Sequence, residues 1–327
     1  MLFRSRCDPR NRPPLLVRFR VGKTNANMSC LRIIHETTYQ FSQPVRFGPH
    51  RLVLRPREGH DLRVEEMVLS ISPDYDLEWS RDVFGNSIAT AHFFAPSDTL
   101  RIKSTLLLKQ TGAFPRRSDR PVVHPPYPLQ FPPLEEGIVA AYRASTFPED
   151  VGRVGAWLQG EIDAGTFSDA ETLAAAVNQK VRRAIAYRRR EDKGVQSPAE
   201  TLDCGSGSCR DLATLLLECW RMLGFPARFA SGYLNCAASE EGIASTHAWA
   251  EVYLPEVGWT GFDPMLGTLT SSQHVVVAVS NHPRGVMPVT GTFYGDPALY
   301  LGMEVSVKTR RIEPASPTDN PILQRCG

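Results

Sequence analysis

The chain has 327 residues, of which 42% are hydrophobic and 22% charged, and its formal net charge is +2. These values are ordinary for a soluble globular protein, and the length suits two domains. The small net charge gives no reason to expect nucleic acid or a membrane surface as a partner. No stretch approaches the run of about 18 apolar residues that a transmembrane helix needs.

The first 28 residues carry the basic excess. They contain one acidic residue, Asp8, and the basic residues Arg4, Arg6, Arg10, Arg12, Arg18, Arg20 and Lys23. Arginine and proline interrupt the segment too often for the apolar core of a signal peptide. We interpret residues 1–28 as a disordered basic arm, or as an over-extended start whose true initiator is Met28. A targeting or anion-binding tail is the alternative.

The cysteines do not form a disulfide framework. There are seven of them, an odd number, at the irregular positions 7, 30, 204, 209, 219, 236 and 326. Without a recognisable export signal, reduced thiols are the default, which predicts a cytoplasmic location.

Residues 29–110 alternate between apolar and polar side chains with a period of two. Turn signals separate the segments at Gln43-Pro44, Gly48-Pro49, Ser72-Pro73-Asp74 and Phe84-Gly85-Asn86. Short segments of this kind predict an N-terminal antiparallel β domain, built as a sandwich or a barrel-like sheet. The scattered histidines at 35, 50, 60 and 92 are interpreted as structural or surface residues.

A proline-rich stretch at residues 111–135 predicts a linker or an extended strap, because consecutive prolines cannot join a helix or a central strand. Helical spacing follows at residues 149–164 and 169–187. The basic run Arg188-Arg189-Arg190 with Lys193 is interpreted as a solvated helix end, with an anion site as the alternative.

A loop over residues 194–208 precedes a third predicted helix from Cys209 to Leu223, which Gly224 and Pro226 terminate. The segments RFASGYL, THAWAEVYL, GWTGFD and HVVVAVS predict strands. These elements define an α+β core over residues 136–305, followed by a tail at 306–327.

Cys209 stands where the glycine- and serine-rich loop Gly205-Ser206-Gly207-Ser208 enters the third helix. The start of a helix carries free N–H groups and a partial positive charge, which favour a thiolate over a thiol. The same N–H groups can stabilise an oxyanion. The position predicts a nucleophile, although a cysteine at a helix start is often only a small buried residue.

Two residues complete a possible triad. His247 follows Cys209 by 38 residues in an alternating strand, and Asp263 follows His247 by 16 residues. A turn at residues 255–258 would make a hairpin that brings Asp263 beside the histidine strand. The histidine can act as a general base, and the carboxylate can hold its imidazole in the correct tautomer. The order Cys, His, Asp over adjacent elements predicts a catalytic triad.

The segments GSGSCRD, LGFPARFASGYL and THAWAEVYLPEVGWTGFDP resemble the core motifs of the bacterial transglutaminase-like family. The segments YQFSQPVRFGPHRLVLRPRE and DVFGN resemble the β-rich N-terminal domain that often precedes this core. The end HVVVAVSNHPRGVMPVTGTFYG also resembles such proteins. The resemblance spans roughly residues 30–305.

This resemblance implies a papain-like core in which Cys209 is the nucleophile, His247 the base and Asp263 the orienting acid. It implies attack on a carboxamide and a thioester intermediate, which an amine or water then resolves. Eukaryotic members place an oxyanion-stabilising tryptophan upstream of the nucleophile, but here no tryptophan lies between Trp157 and Cys209. Tyr187, the nearest upstream aromatic residue, is our candidate for that position, and Ser208 and Trp249 are further candidates for substrate-binding or oxyanion residues.

Other interpretations remain open. A cysteine protease or peptidase could use the same core, and a non-enzymatic binding module would fit if the triad were incomplete. Cys204, Cys209, Cys219 and Cys236 could bind a metal, although their spacings fit no common zinc pattern. Cys204 could pair with Cys209 as a redox switch, and His274 and His282 are interpreted as structural. No metal or cofactor is expected, and the predicted partner is a protein or peptide substrate, without nucleic acid or membrane.

Overall fold

The structure is a computed structural model, and it describes residues 29–110, 124–190, 194–241 and 246–312. Its helices are α1 (Glu136–Arg143), α2 (Val151–Glu161), α3 (Ala170–Ala184), α4 (Pro198–Cys204), α5 (Cys209–Met222) and α6 (Ala237–Glu241). Its strands are β1 (Ser29–Phe47), β2 (His50–Leu52), β3 (Leu62–Ser72), β4 (Tyr75–Arg81), β5 (Ser87–Phe93), β6 (Ser97–Gln110), β7 (Ala186–Tyr187), β8 (Ser206–Gly207), β9 (Ala227–Leu234), β10 (His247–Leu254), β11 (Gly258–Asp263), β12 (Thr268–Leu269), β13 (His274–Ser280), β14 (Val289–Thr290), β15 (Phe293–Tyr294) and β16 (Tyr300–Ile312).

The N-terminal region consists of two antiparallel sheets. One contains β1, β3, β6, β15 and β16, and the other has the order β14-β2-β5-β4. Alternate residues of these strands point inward, and a cluster that includes Phe41, Leu52, Ala89 and Ile102 is buried from both sheets. The predicted antiparallel β architecture is therefore confirmed in its sandwich form.

Two details of this region differ from the sequence interpretation. The predicted turn at Gln43-Pro44 lies inside β1, where the pairing with β6 shifts register between Gln40 and Val45. A bulge of this kind tolerates a proline that regular pairing would exclude. Residues 306–312, placed in the tail, form the end of β16 and pair with the start of β1. The alternation of Val305 and Val307 with polar neighbours gives these residues an apolar side to bury.

The second region is built on an antiparallel sheet with the order β12-β11-β10-β9-β13. Helix α5 packs against β10 and is buried along almost its whole length. Trp220 of α5 contacts Phe262 of β11 edge to face, with ring centroids 5.3 Å apart. The predicted helix at residues 209–223 and the predicted strands of this sheet are confirmed, as is the α+β fold class.

Three short helices were missed. The predicted loop before Cys209 contains α4, whose start is marked by Ser197, Pro198 and Glu200. The Ser197 hydroxyl accepts from the Glu200 N–H, and the Glu200 carboxylate accepts from the Ser197 N–H, a capping box with proline at the first helical position. This local signal was readable in the sequence. Helices α1 and α6 are only eight and five residues long, which is shorter than the window over which helical periodicity can be recognised.

The two regions are joined by buried hydrogen bonds. Asn86, in the turn between β4 and β5, donates to the Val279 carbonyl and accepts from the Val279 N–H, at 2.7 and 3.0 Å. His35 of β1 lies 3.1 Å from the Tyr233 hydroxyl of β9. Val279 lies in β13 and Tyr233 in β9, and both of these strands belong to the sheet that carries the candidate site. The N-terminal region therefore supports that sheet directly. His35 and His50 are buried, as a structural role requires.

Some predictions fall outside the described residues. They include the basic arm at 1–28, residues 111–123 of the proline-rich linker and residues 313–327 of the tail. Residues 124–135 of the linker are described; they form an isolated bridge between Pro126 and Asp169 and a turn at 133–135 that leads into α1. Within the described part of the chain, no helix has the length and apolar character needed to cross a membrane.

Candidate active site

The candidate nucleophile occupies the first position of α5. Cys209 follows the N-cap residue Ser208, and its side chain is largely buried. The N–H groups of Asp211 and Leu212 donate to the Ser208 carbonyl at 3.0 Å. The first N–H groups of a helix have no carbonyl group one turn earlier to which they could donate. At the start of α5 these are the N–H groups of Cys209 and Arg210, which are therefore available beside the thiol.

A buried carboxylate fixes this helix start. Asp211 accepts hydrogen bonds from the N–H and hydroxyl of Ser208, each at 2.8 Å, and from the Gln196 N–H at 2.8 Å. The Arg190 guanidinium lies 3.0 Å from both carboxylate oxygens. Asp211 is fully buried, so it holds the loop before Cys209 in place with a neutralised charge. Arg190, from the basic run that was interpreted as a solvated helix end, has this specific partner.

His247 and Asp263 meet as the hairpin predicted. Strands β10 and β11 pair antiparallel through a turn at residues 255–257, and His247 Nε2 lies 2.7 Å from Asp263 Oδ2. With Nε2 donating to the carboxylate, Nδ1 is the ring atom left to interact with Cys209, and a hydrogen bond to Cys209 is among the causes that raise the pKa of His247. The structure thus brings the three predicted residues together in one chain of contacts.

The electrostatics of this chain favour a protonated imidazole. Burial alone would lower the pKa of His247, but the hydrogen bonds and charges of Asp263 and Cys209 raise it above the usual 6.5. Burial would raise the pKa of Asp263, but hydrogen bonds from two imidazoles and the charge of His247 hold it well below its usual 3.8. An imidazolium beside a thiol favours the thiolate.

The second imidazole belongs to His274, which the sequence interpretation treated as structural. Its Nε2 lies 3.1 Å from the same Asp263 oxygen that His247 contacts. His274 is the first residue of β13, which lies at one edge of the sheet, whereas β12 lies at the opposite edge. The connection between these two strands places His274 beside Asp263. The sequence offers no signal for this contact, because it depends on the strand order.

Among the described residues, His247, Asp263 and His274 are the group that could offer three ligand atoms to a metal, with those atoms within 4.8 Å of one another. The same atoms form two hydrogen bonds, each explained by one proton on Nε2 of an imidazole. We therefore interpret the cluster as a proton-sharing network. The cysteines at 204, 209, 219 and 236 do not gather into such a group, so the cysteine metal cluster is not supported.

The cysteines in the described part of the chain, at 30, 204, 209, 219 and 236, are all free thiols. Cys204 is exposed at the end of α4, and it is not bonded to Cys209. Burial strongly raises the pKa of the Cys219 thiol, which lies inside α5 and is therefore unreactive.

The three further site candidates have different surroundings. Tyr187 is half-exposed and pairs with Gly207, and burial and the nearby Cys209 raise the pKa of its phenol. Ser208 is buried, and its hydroxyl is bonded to Asp211. Trp249 is fully buried, and its ring packs against those of His247 and His274 at centroid distances of 6.1 and 5.2 Å. Their roles towards a substrate stay predictions.

A cavity of about 250 Å³ lies between the N-terminal region and this face of the sheet. Residues of both regions line it, among them Arg57, Gln110, Trp249, Ser271 and His274. We call it the rear cavity, because it borders His274, whereas Cys209 and His247 are not among its lining residues.

Comparisons with known proteins agree with this architecture. The model of the bacterial transglutaminase-like N-terminal region matches residues 31–109, and that of the transglutaminase-like superfamily matches residues 158–264. An uncharacterized protein of Mycobacterium tuberculosis is 27% identical over 282 residues, which cover 80% of this chain and 87% of that protein. An uncharacterized protein of Mycobacterium leprae is 30% identical over 105 residues, covering 31% and 37%.

A candidate cysteine protease from Cytophaga hutchinsonii has a similar structure, with a TM-score of 0.65. The similarity covers 86% of this chain and 91% of that one at 16% sequence identity, so it shows a shared fold. The two matched regions follow the two parts of the fold described above, and the second includes all three residues of the predicted triad. The chain thus carries a bacterial transglutaminase-like N-terminal region at residues 31–109 and a region of the transglutaminase-like superfamily at residues 158–264.

Proposed function

We propose that this protein is a cysteine enzyme that attacks a carboxamide carbonyl with Cys209 and forms a thioester. The observation that carries the proposal is the chain of contacts from Cys209 through His247 to Asp263, at the start of a buried helix. Protein or peptide side chains that contain a carboxamide are the proposed substrates. The cytoplasmic location stays a prediction.

In the first half of the proposed reaction, the Cys209 thiolate adds to the carbonyl carbon. The oxygen becomes an oxyanion, which the N–H groups of Cys209 and Arg210 stabilise at the helix start. The imidazolium of His247 gives its Nδ1 proton to the departing nitrogen, so that ammonia or an amine leaves and the thioester remains.

In the second half, neutral His247 takes a proton from water or from an amine as that nucleophile attacks the thioester. Water gives hydrolysis and an amine gives acyl transfer, and either restores the Cys209 thiolate with the imidazolium. Asp263 keeps Nε2 of His247 protonated throughout, so that Nδ1 is the nitrogen that exchanges protons with the reactants. Tyr187 stands beside Cys209 and is our candidate for contact with the acyl donor.

An activated ester tests this chemistry without knowledge of the natural substrate. With p-nitrophenyl acetate, we expect a burst of one equivalent of p-nitrophenol and one acetyl group on Cys209 by intact mass. We expect Cys209→Ala to lack the burst and Cys204→Ala, which removes the exposed cysteine nearby, to keep it. Added methylamine then separates acyl transfer from hydrolysis, and ammonia release from a glutamine-containing peptide tests the amide reaction. A burst that persists in Cys209→Ala would refute the proposal.

A further inference from the structure

The carboxylate of Asp263 has two imidazole donors instead of one. Oδ2 accepts from Nε2 of His247 at 2.7 Å and from Nε2 of His274 at 3.1 Å. Oδ1 accepts from the N–H groups of Met265 and Leu266 at 2.9 and 3.2 Å. All of the hydrogen-bonding capacity of a fully buried carboxylate is therefore used, and its plane is fixed from both sides.

The backbone fixes the tautomer of His274. The N–H of Ser271 points at its Nδ1 at 3.1 Å, and a backbone amide can only donate. Nδ1 must then be unprotonated, which puts the one ring proton on Nε2, facing Asp263. His274 is therefore a neutral donor, and the loop between β12 and β13 holds it in that state.

We propose that His274 is a positioning residue of the proposed reaction, which holds Asp263 in place and shares its negative charge with His247. By donating a hydrogen bond to Oδ2, His274 reduces how strongly the carboxylate stabilises the imidazolium of His247. The imidazolium can then still give its Nδ1 proton to a leaving group. By blocking rotation of the carboxylate, it keeps Nδ1 of His247 directed at Cys209. The inference rests on the proposed function of Cys209.

The charged and titratable groups that face His247 come from three elements. They are Cys209 on α5, Asp263 on β11 and His274 on β13, while Trp249 on the strand of His247 itself is uncharged. Without His274, the negative charge on Oδ2 of Asp263 would interact with the imidazole of His247 alone. We expect the pKa of His247 to rise further, so the alkaline limb of the acylation rate moves to higher pH. A purely structural residue would change the rate or the stability without moving that limb.

The rear cavity makes a direct test possible, because His274 lines it and its removal would extend the cavity to Asp263. In His274→Ala, free imidazole has space to enter and donate an N–H to the carboxylate. In His274→Gln, the side-chain amide reaches about as far as Nε2 of histidine and offers an N–H at a similar place. His282→Ala is the matched control, since the ring of this histidine stacks on Phe147 and its Nδ1 accepts from the Arg284 N–H, away from Asp263.

The experiment measures the rate of acylation against pH in the four proteins with acetyl p-nitroanilide, whose amine leaving group needs the proton of His247, whereas p-nitrophenolate can leave without one. We expect His274→Ala to lose about 10- to 100-fold in rate, as misplaced catalytic groups do. We expect its alkaline limb to move to higher pH, imidazole to restore the rate in a concentration-dependent way, and His274→Gln and His282→Ala to remain close to wild type. An unchanged rate in His274→Ala, or a loss with an unchanged limb and no rescue by imidazole, would overturn the inference.

Two readouts on the wild-type protein separate this inference from the proposed function. If wild type shows no burst that depends on Cys209, the proposed function fails, whatever His274 does. ¹⁵N-histidine NMR reports the tautomer of His274 independently of any activity, and we expect the proton on Nε2. A proton on Nδ1, or one equivalent of tightly bound zinc in the purified protein, would overturn the inference, because either removes the second hydrogen bond to Asp263.

Discussion

Replacing Asp263 by asparagine is expected to slow acylation of Cys209 by about 1,000- to 10,000-fold while the overall fold persists. The N–H groups of Met265 and Leu266 would select the amide oxygen for the Oδ1 position. The NH₂ group would then take the place of Oδ2. It would face the Nε2 atoms of His247 and His274, which in the wild-type protein donate to Oδ2. His247 would have to accept at Nε2 and carry its proton on Nδ1, which removes the base from the side of the thiol.

The pKa shifts of His247 and Asp263 predict that the effect of this substitution on stability depends on pH. Since the pKa of His247 is raised in the folded protein, its contribution to the free energy of unfolding is complete below pH 6.5 and is lost as the pH rises through the raised pKa. Since the folded pKa of Asp263 is lowered, its contribution is complete above 3.8 and is lost as the pH falls through the lowered value. The difference in the free energy of unfolding between wild type and Asp263→Asn should be largest between pH 3.8 and pH 6.5. It should become smaller at lower and at higher pH.

Burst kinetics and urea unfolding across pH measure both effects, and Asp98→Asn, an exposed change of the same kind, is the control. An Asp263→Asn protein that acylates within tenfold of wild type would contradict the role given to this carboxylate. A stability difference that does not change with pH would contradict the ion pair between His247 and Asp263.

Replacing Asp211 by alanine is expected to lower the free energy of unfolding by about 3–5 kcal/mol, because it breaks the ion pair between Arg190 and a fully buried carboxylate. The change also removes the acceptor for the N–H groups of Gln196 and Ser208. These bonds hold the loop that ends at Cys209, so alkylation of the cysteine should become slower as well.

Asp203→Ala provides a matched comparison for Asp211→Ala. Asp203 pairs with Arg153 at 2.9 Å, but the two side chains are 64% and 45% exposed, whereas Asp211 is 0% exposed. An exposed pair contributes only about 0–1 kcal/mol. Urea unfolding of the two variants should therefore differ by several kcal/mol, and equal losses would show that Asp211 does not fix the helix start as described.

The nucleophile helix and the histidine hairpin could be predicted because their signals are local. The apolar spacing of α5, its stop at Gly224 and the turn at residues 255–258 all lie within a few residues of the elements that they define. The position of Asp263 beside His247 follows from a single hairpin, since adjacent antiparallel strands set the pairing.

His274 and the role of β16 could not be predicted, because both depend on sheet order. Strand β13 pairs with β9 at the far edge of the core sheet, and β16 returns from the end of the chain to pair with β1. Sequence periodicity shows which residues of a strand share a face, but it does not show which strands are neighbours. In contrast, α4 carried a readable capping box at Ser197 and Glu200, and the glycine- and serine-rich context of that loop outweighed it.

The activation of Cys209 by His247 is the central claim, and the rate of alkylation by iodoacetamide across pH tests it most directly. Intact mass is followed for wild type and Cys209→Ala. We predict fast modification of a single cysteine at about pH 6, where an ordinary thiol hardly reacts, and its complete loss in the variant. Slow labelling that rises only towards alkaline pH, or fast labelling that survives in Cys209→Ala, would contradict the claim.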